Sequence, residues 1–341
     1  MTEPNLAEIG IINFNELADS LDMCDILIGN GFSINLCDRL SYRSLFDKFK
    51  IGKSPELIKL FNGLNTTNFE FVIEILNNTT LVNDIYGVDN AIYTPIIEEL
   101  KTGLIEVIAQ THPSYAEIVP NIFRSLAMEI SRFNDIYTTN YDVFLYKIIL
   151  AYNELLELKR IEGVRYKDDF CDEVDTHKLR LSYFDEDCRI IHYLHGALFI
   201  YNQHFTYKFR KGGENDEYIR LLNREIMHGN FPLFVAEGTP GDKYNAISNN
   251  YYLTNCLNSL KRASHQLVVY GMSFQRSDRH IIDVLNASEI DDIFISIYIG
   301  SKTHEELKKE ASYFRNLFTK KSVTLFDSRT LFSFNEPIHV F

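Results

Sequence analysis

Short apolar runs alternate along the chain with longer stretches in which apolar residues recur at three- and four-residue spacing. A brief continuous apolar run bounded by turn residues reads as a buried strand, and the wider spacing reads as one face of a helix. Seven strands are predicted on this basis, at residues 25–28, 136–139, 190–194, 233–236, 266–270, 293–299 and 323–326. Apolar strands separated by helical spacing predict a parallel sheet covered on both faces, the Rossmann-like, doubly wound α/β class.

Two stretches interrupt the alternation. Between the first two strands lie about a hundred residues, far beyond an ordinary crossover, with helical faces at Leu57, Leu60 and Phe61, at Phe69, Phe71, Val72, Ile75 and Leu76, and at Ile96, Leu100, Leu104 and Val107. A helical insertion is predicted over residues 41–132. Residues 158–187 are dense in charge and poor in apolar periodicity, which predicts a surface excursion. With no repeat or linker evident, the 341 residues read as one elaborated domain.

Composition narrows the function classes. A formal net charge of −13 disfavours the broad basic footprint that holds a nucleic-acid backbone. No basic leader and no long apolar run occur, so a cytoplasmic chain without a membrane span is expected. Cys24, Cys37, Cys171, Cys188 and Cys256 form no C-x-x-C pair, which fits a reducing compartment and offers no zinc module.

Candidate chemistry sits at the ends of the predicted strands, the edge where open α/β sheets bind ligands. The first ends in Gly29-Asn30-Gly31-Phe32-Ser33, suited to a tight turn and a close backbone approach to a diphosphate. Ile34 replaces the third glycine of the dehydrogenase fingerprint, which weighs against hydride transfer. The second ends in Thr138-Thr139-Asn140-Tyr141-Asp142, where an amide and a carboxylate could serve a ligand or cap the next helix. The third ends in His192-Tyr193-Leu194-His195-Gly196; strand alternation sends the two histidines to opposite faces, and His195 at the rim is the catalytic candidate, His192 the packed one.

In this order the segments resemble the sirtuin superfamily, whose signature runs Gly-x-Gly-x-Ser, Thr-x-Asn-x-Asp, His-Gly. Tyr270-Gly271-Met272-Ser273-Phe274 resembles the family's later ribose-phosphate loop, and Asp278 and His280 fit a pattern of its prokaryotic branch. Glu237-Gly238-Thr239 and Lys243 also look like the subset without zinc, and Cys37-Asp38-Arg39-Leu40 loosely replaces the family's Pro-Asp-Phe-Arg segment. The resemblance implies a zinc-lacking NAD glycohydrolase of antiviral defence, with NAD as substrate and no metal. It implies that Asn140, Asp142 and His195 are catalytic, and that Gly29, Asn30, Gly31, Phe32, Ser33, Gly271, Ser273 and Asp278 bind the dinucleotide. It further implies a gate, supplied by a homo-oligomer or by a HerA-family ATPase partner. The rival readings are a module that binds ADP-ribose or a cyclic relative without hydrolysis, and a zinc-free deacylase or ADP-ribosyltransferase.

Overall fold

The structure is a computed structural model that describes residues 4–17, 21, 24–51, 53, 55–113, 120–171, 178–181, 187–202, 206–209, 217–236 and 240–334. The chain begins with α1 (Leu6–Ile9) and β1 (Ile11–Ile12), then β2 (Asp25–Ile28) and α2 (Asn30–Leu36). Five helices follow before the next strand: α3 (Tyr42–Phe49), α4 (Pro55–Gly63), α5 (Phe69–Tyr86), α6 (Tyr93–Thr111) and α7 (Pro120–Ile130). Next come β3 (Ile136–Thr138), α8 (Phe144–Glu157), β4 (Tyr166–Lys167), β5 (Phe170–Cys171), β6 (Lys178–Leu181) and β7 (Arg189–Tyr193). After β8 (Ile200–Asn202) and β9 (Thr206–Phe209) the chain forms α9 (Glu217–Met227), α10 (Pro240–Ser248) and α11 (Tyr251–Arg262). It closes with β10 (Ser264–Tyr270), α12 (Arg279–Ala287), β11 (Glu289–Ile297), α13 (His304–Leu317) and β12 (Ser322–Asp327).

Eight strands make one parallel sheet in the order β1-β12-β11-β10-β2-β3-β7-β4. The doubly wound α/β class is therefore as expected. From β2 the chain winds one way through β3 and β7, and from β10 the other way through β11 and β12. The winding thus reverses between β2 and β10, and a crevice opens there at the carboxyl ends, the place where such sheets hold ligands. The central strands are fully buried, including Ile26, Leu27, Ile28, Leu267, Val268, Val269 and Ile293. This is why they read as continuous apolar runs rather than as alternating ones.

One predicted strand is corrected. Residues 233–236 do not join the sheet; Phe234 makes an isolated antiparallel bridge to Gly196, and the Val235 amide donates to the His195 carbonyl at 3.0 Å. The run is apolar because Val235 and Ala236 are buried against the loop after β7, not because it pairs in the ladder.

The stretch 158–187 is also partly structural where it is described, residues 172–177 and 182–186 lying outside the described residues. It supplies the edge strand β4 and two strands of a small antiparallel sheet, order β5-β6-β9-β8. Tyr166 is buried and donates to the Ile130 carbonyl at 3.1 Å and to that of Phe133, and Asp168 is buried in an ion pair with Lys208. Strands this short carry too few residues for a period to show. No helix among the described residues is long and apolar enough to cross a membrane.

Candidate functional site

Because β2 and β10 are neighbours, the loops that leave them emerge side by side and touch. The Gly29 amide donates to the Tyr270 carbonyl at 2.8 Å, and the Gly31 amide to the Gly271 carbonyl at 2.9 Å. A methyl group added to Gly31 would stand 2.7 Å from Gly271 Cα, and one added to Gly271 would stand 2.7 Å from the Phe32 nitrogen. Gly271 also holds φ +71°, so the crossing excludes side chains both by contact and by conformation. The expectation that these loop amides bind a diphosphate needs correction for Gly29, Gly31 and Phe32. Their N–H groups are already bonded within the protein, that of Phe32 to the Gly29 carbonyl at 3.0 Å. The Phe32 ring packs edge-on against Tyr270, Phe332 and Phe334, in the core.

From β3 the chain carries a chain of hydrogen bonds across to this crossing. Thr138 Oγ1 donates to the Ile28 carbonyl at 3.0 Å and accepts from the Asn140 amide at 3.1 Å, which fixes the turn. Asn140 Nδ2 donates to the Gly29 carbonyl at 3.0 Å and to Ser33 Oγ at 2.9 Å. The Ser33 hydroxyl donates to Asp142 Oδ2 at 2.5 Å, and the Phe144 amide donates to Asp142 Oδ1 at 2.8 Å. A carbonyl can only accept, so the Gly29 contact sets which end of the Asn140 amide is nitrogen. Its oxygen, Oδ1, is then left buried with no hydrogen-bond partner, on a residue only 6% exposed. Asp142 does serve the start of α8 through Oδ1, as the capping alternative expects; Oδ2 serves Ser33. Burial pushes the Asp142 carboxyl up, while the bonds from Ser33 and Phe144 pull it down.

The histidines at the end of β7 and just beyond it divide as the alternation requires. His192 stacks on Tyr137 with ring centres 4.8 Å apart and shares a hydrogen bond of 3.1 Å with Ser259. His195 is 3% exposed, and its Nε2 lies 2.8 Å from Nε2 of His280. Burial, with Lys243 and His280 nearby, holds the His195 imidazole well below its ordinary range. Gly196 follows at φ +79°, where an added carbon would overlap the Leu233 carbonyl.

These groups meet at one cavity of about 120 Å³. Asn30, Asn140, Asp142, His195, Gly271, Ser273 and Asp278 line it; Gly29, Gly31, Phe32 and Ser33 are not among the lining residues. Ser33 acts one layer below, as the hub between Asn140 and Asp142. The opposite wall comes from the helices between β2 and β3: Tyr42 and Leu45 on α3, Glu70 on α5, and Leu104 and Ile108 on α6. The Cys37–Leu40 substitute contributes Leu40 to this wall.

Glu70 was not singled out by the sequence reading. Its Oε2 accepts from Lys243 Nζ at 2.6 Å, and Lys243 has no exposed surface at all. Burial pushes the Asp278 carboxyl up to about 6, with Lys243 pulling it down and Glu70 adding to the rise. The helical spacing carried no signal for Glu70: Glu70 and Glu74 fall on a different face of α5 from Phe69, Val72, Ile73 and Leu76. Glu237-Gly238-Thr239 lie outside the described residues. Among the described residues no three His, Cys, Asp or Glu side chains gather so as to hold a metal ion.

The family model described as "Domain of unknown function (DUF4917)" matches residues 26–331, from β2 through the last strand and so across every wall of the cavity. The chain belongs to the DUF4917 family. No curated protein matches it. The DUF4917 cavity is chemically specific even so. It joins an unpartnered amide oxygen, a buried carboxylate and a neutral imidazole on the sheet side to an apolar wall on the helical side. That combination suits a ligand with hydroxyl donors next to a flat or apolar group.

Proposed function

We propose that the chain is an NAD glycohydrolase, cleaving NAD with water to nicotinamide, ADP-ribose and a proton. The observation that carries this reading is Asn140. Both of its amide hydrogens are taken by the protein, and its oxygen is a buried acceptor without a donor on a wall of the cavity that His195 shares. An orphan acceptor is costly to bury, and a ribose hydroxyl or an ordered water supplies the donor it lacks.

The bond from nicotinamide to ribose has a cationic leaving group that departs neutral, so acid assistance is not needed. What the site must supply is stabilisation of an oxocarbenium-like transition state and a placed nucleophile. Asp142, fixed through both oxygens, sets negative charge beside the developing cation. Asn140 Oδ1 holds the ribose and orders the attacking water, and His195 takes the proton that water releases. Asn30, Gly271, Ser273 and Asp278 on the lining hold the diphosphate and the adjoining ribose. The same reading includes a gate on the reaction, from a homo-oligomer or a HerA-family ATPase partner, and a place in prokaryotic antiviral defence.

The test is chromatography of nucleotides after incubating NAD with purified protein, alone and with its genomic neighbour's product. Nicotinamide and ADP-ribose in equal amounts are expected, with the yield lost in Asn140→Ala and His195→Ala. Equal hydrolysis by both variants and the parent would remove the site assignment. Tight ADP-ribose binding with NAD left intact in every oligomeric state would move the reading to a sensor, and dependence on an added acyl-lysine peptide would move it to a deacylase.

A further inference from the structure

His280, at the second position of α12, is marked by the sequence and has no part in the reaction above. It is buried, and its ring lies 5.0 Å from that of His195, within 27° of parallel. Two ring nitrogens 2.8 Å apart share a single proton, so one donates and the other accepts. Once Nε2 of His195 is engaged in this way, Nδ1 is the nitrogen left to it for chemistry in the cavity. A base at Nδ1 must carry its hydrogen on Nε2. Nε2 of His280 is then the acceptor, and a neutral His280 holds its own hydrogen on Nδ1. That Nδ1 is buried beside the Ser277 main chain, which favours hydrogen on the ring. His280 also borders a second groove, between α10, α11 and α12, that shares no residue with the cavity: Pro240, Tyr244, Leu257, Lys261 and Asp283 are among its walls.

We infer that His280 is a positioning residue that holds His195 in the tautomer with hydrogen on Nε2 and so keeps Nδ1 of His195 free as the base. The tautomer rests on the contact of the two rings and on the Ser277 main chain beside His280, and the use of Nδ1 as a base rests on the hydrolase reading. In the step, Nδ1 of His195 takes a proton from the attacking water as the new C–O bond forms. The hydrogen on its Nε2 stays in the bond to Nε2 of His280. The His195 imidazolium then gives the proton on Nδ1 to water in the cavity and returns to its starting tautomer. The charged groups around the pair are Lys243 from α10, Glu70 from α5, Asp278 at the head of α12, and Asp283 and Lys261 on the groove side. Burial, with Lys243, disfavours a second proton on either ring, so the proton taken by His195 is given up rather than stored.

Long-range proton–nitrogen correlation NMR on protein with isotope-labelled histidine, without substrate, reads the tautomers directly. His195→Gln and His280→Gln assign the two rings among the ten histidines. The expected pattern is hydrogen on Nε2 of His195 and on Nδ1 of His280, both rings neutral at neutral pH, with His195 losing its single tautomer in His280→Phe. Hydrogen on Nδ1 of His195, or an unchanged pattern in His280→Phe, overturns the inference whatever becomes of the hydrolase reading. With NAD, His280→Phe is expected to lower kcat about 10²-fold while KM stays within about threefold. The acid limb of its kcat profile moves, and His280→Gln, which still accepts from Nε2, recovers part of the loss. Unchanged kcat in both variants overturns the positioning role in catalysis. If the parent leaves NAD intact, the hydrolase reading fails and the tautomers alone decide the rest.

Discussion

On the sheet side of the cavity each of Asn140 and Asp142 has a main-chain anchor, the Gly29 carbonyl and the Phe144 amide, with Ser33 bridging the two, and the two glycine loops are fixed by each other. On the helical side the wall is held by side chains reaching across from α5. Asn68 bonds Gln275 at 3.1 Å, Glu70 bonds Lys243 at 2.6 Å, Glu74 pairs with Arg276 at 3.4 Å, and Asn77 bonds Asp242 at 3.1 Å. Glu70, Glu74 and Asn77 are spaced four and three apart, one face of α5 turned toward α10 and the start of α12. The difference teaches where precision and adjustability reside. Main-chain anchors move only with the sheet, whereas side-chain latches can be exchanged one at a time.

The largest test of this contrast is Lys243→Met. It leaves Glu70 charged and buried without its partner, and about 3–5 kcal/mol of stability should be lost in urea unfolding. Glu70→Leu together with Lys243→Met should recover most of that loss. A silent single variant would mean that the pair does not latch the wall. Next in size is a matched pair of glycines. Gly271 and Gly87 both have positive φ, but an added carbon meets backbone at Gly271 and nothing within 4 Å at Gly87. Gly271→Ala should cost roughly 3 kcal/mol, and Gly87→Ala, at the end of α5, about 1 kcal/mol. Equal costs would show that conformation, not the loop crossing, sets the demand for glycine.

A third test uses pH. Burial holds the His280 imidazole down at about 3, so below about 6.5 the unfolded chain takes up protons that the folded chain refuses. Stability then falls as pH drops from about 6.5 toward the folded value. Asp25 and Asp278, pushed up by burial to about 7 and about 6, act with the opposite sign: the folded chain protonates first, and their penalty relaxes on acidification. His280→Phe removes only the histidine part. Its stability relative to the parent should rise by about 2 kcal/mol between about pH 7 and 5, and a constant difference would mean that His280 titrates normally. The smallest effect is expected at the rim of the seam. Asn77→Ala should cost at most about 1 kcal/mol, and the Glu74–Arg276 pair, open to solvent on the arginine side, should weaken with salt in denaturation.

The sheet side was largely legible in the sequence, because buried parallel strands leave continuous apolar runs and their ends announce themselves in glycine, asparagine and histidine. Asn140, Asp142 and His195 reach one cavity for that reason. Legibility ended where burial came from something other than the ladder, as at residues 233–236, or where an element was only two residues long, as in β1 and β4. Phe32 and Ser33 show a finer limit. A loop motif names its residues, but only the start of α2 decides that the phenyl ring enters the core and the hydroxyl bridges Asn140 to Asp142. The Glu70–Lys243 pair joins positions 173 residues apart, so neither residue carries a local trace of its partner.

The crossing of Gly31 over Gly271 alters what glycine at these positions can record. Because the two loops clash with any side chain at the crossing, a DUF4917 member that lacked the activity proposed above would still retain both glycines in order to fold. An inventory of relatives that scored the glycine loop would count such members as active. The amide at 140 and the imidazole at 280 are the letters to read, since core packing places no comparable demand on an unpartnered oxygen or on a second ring.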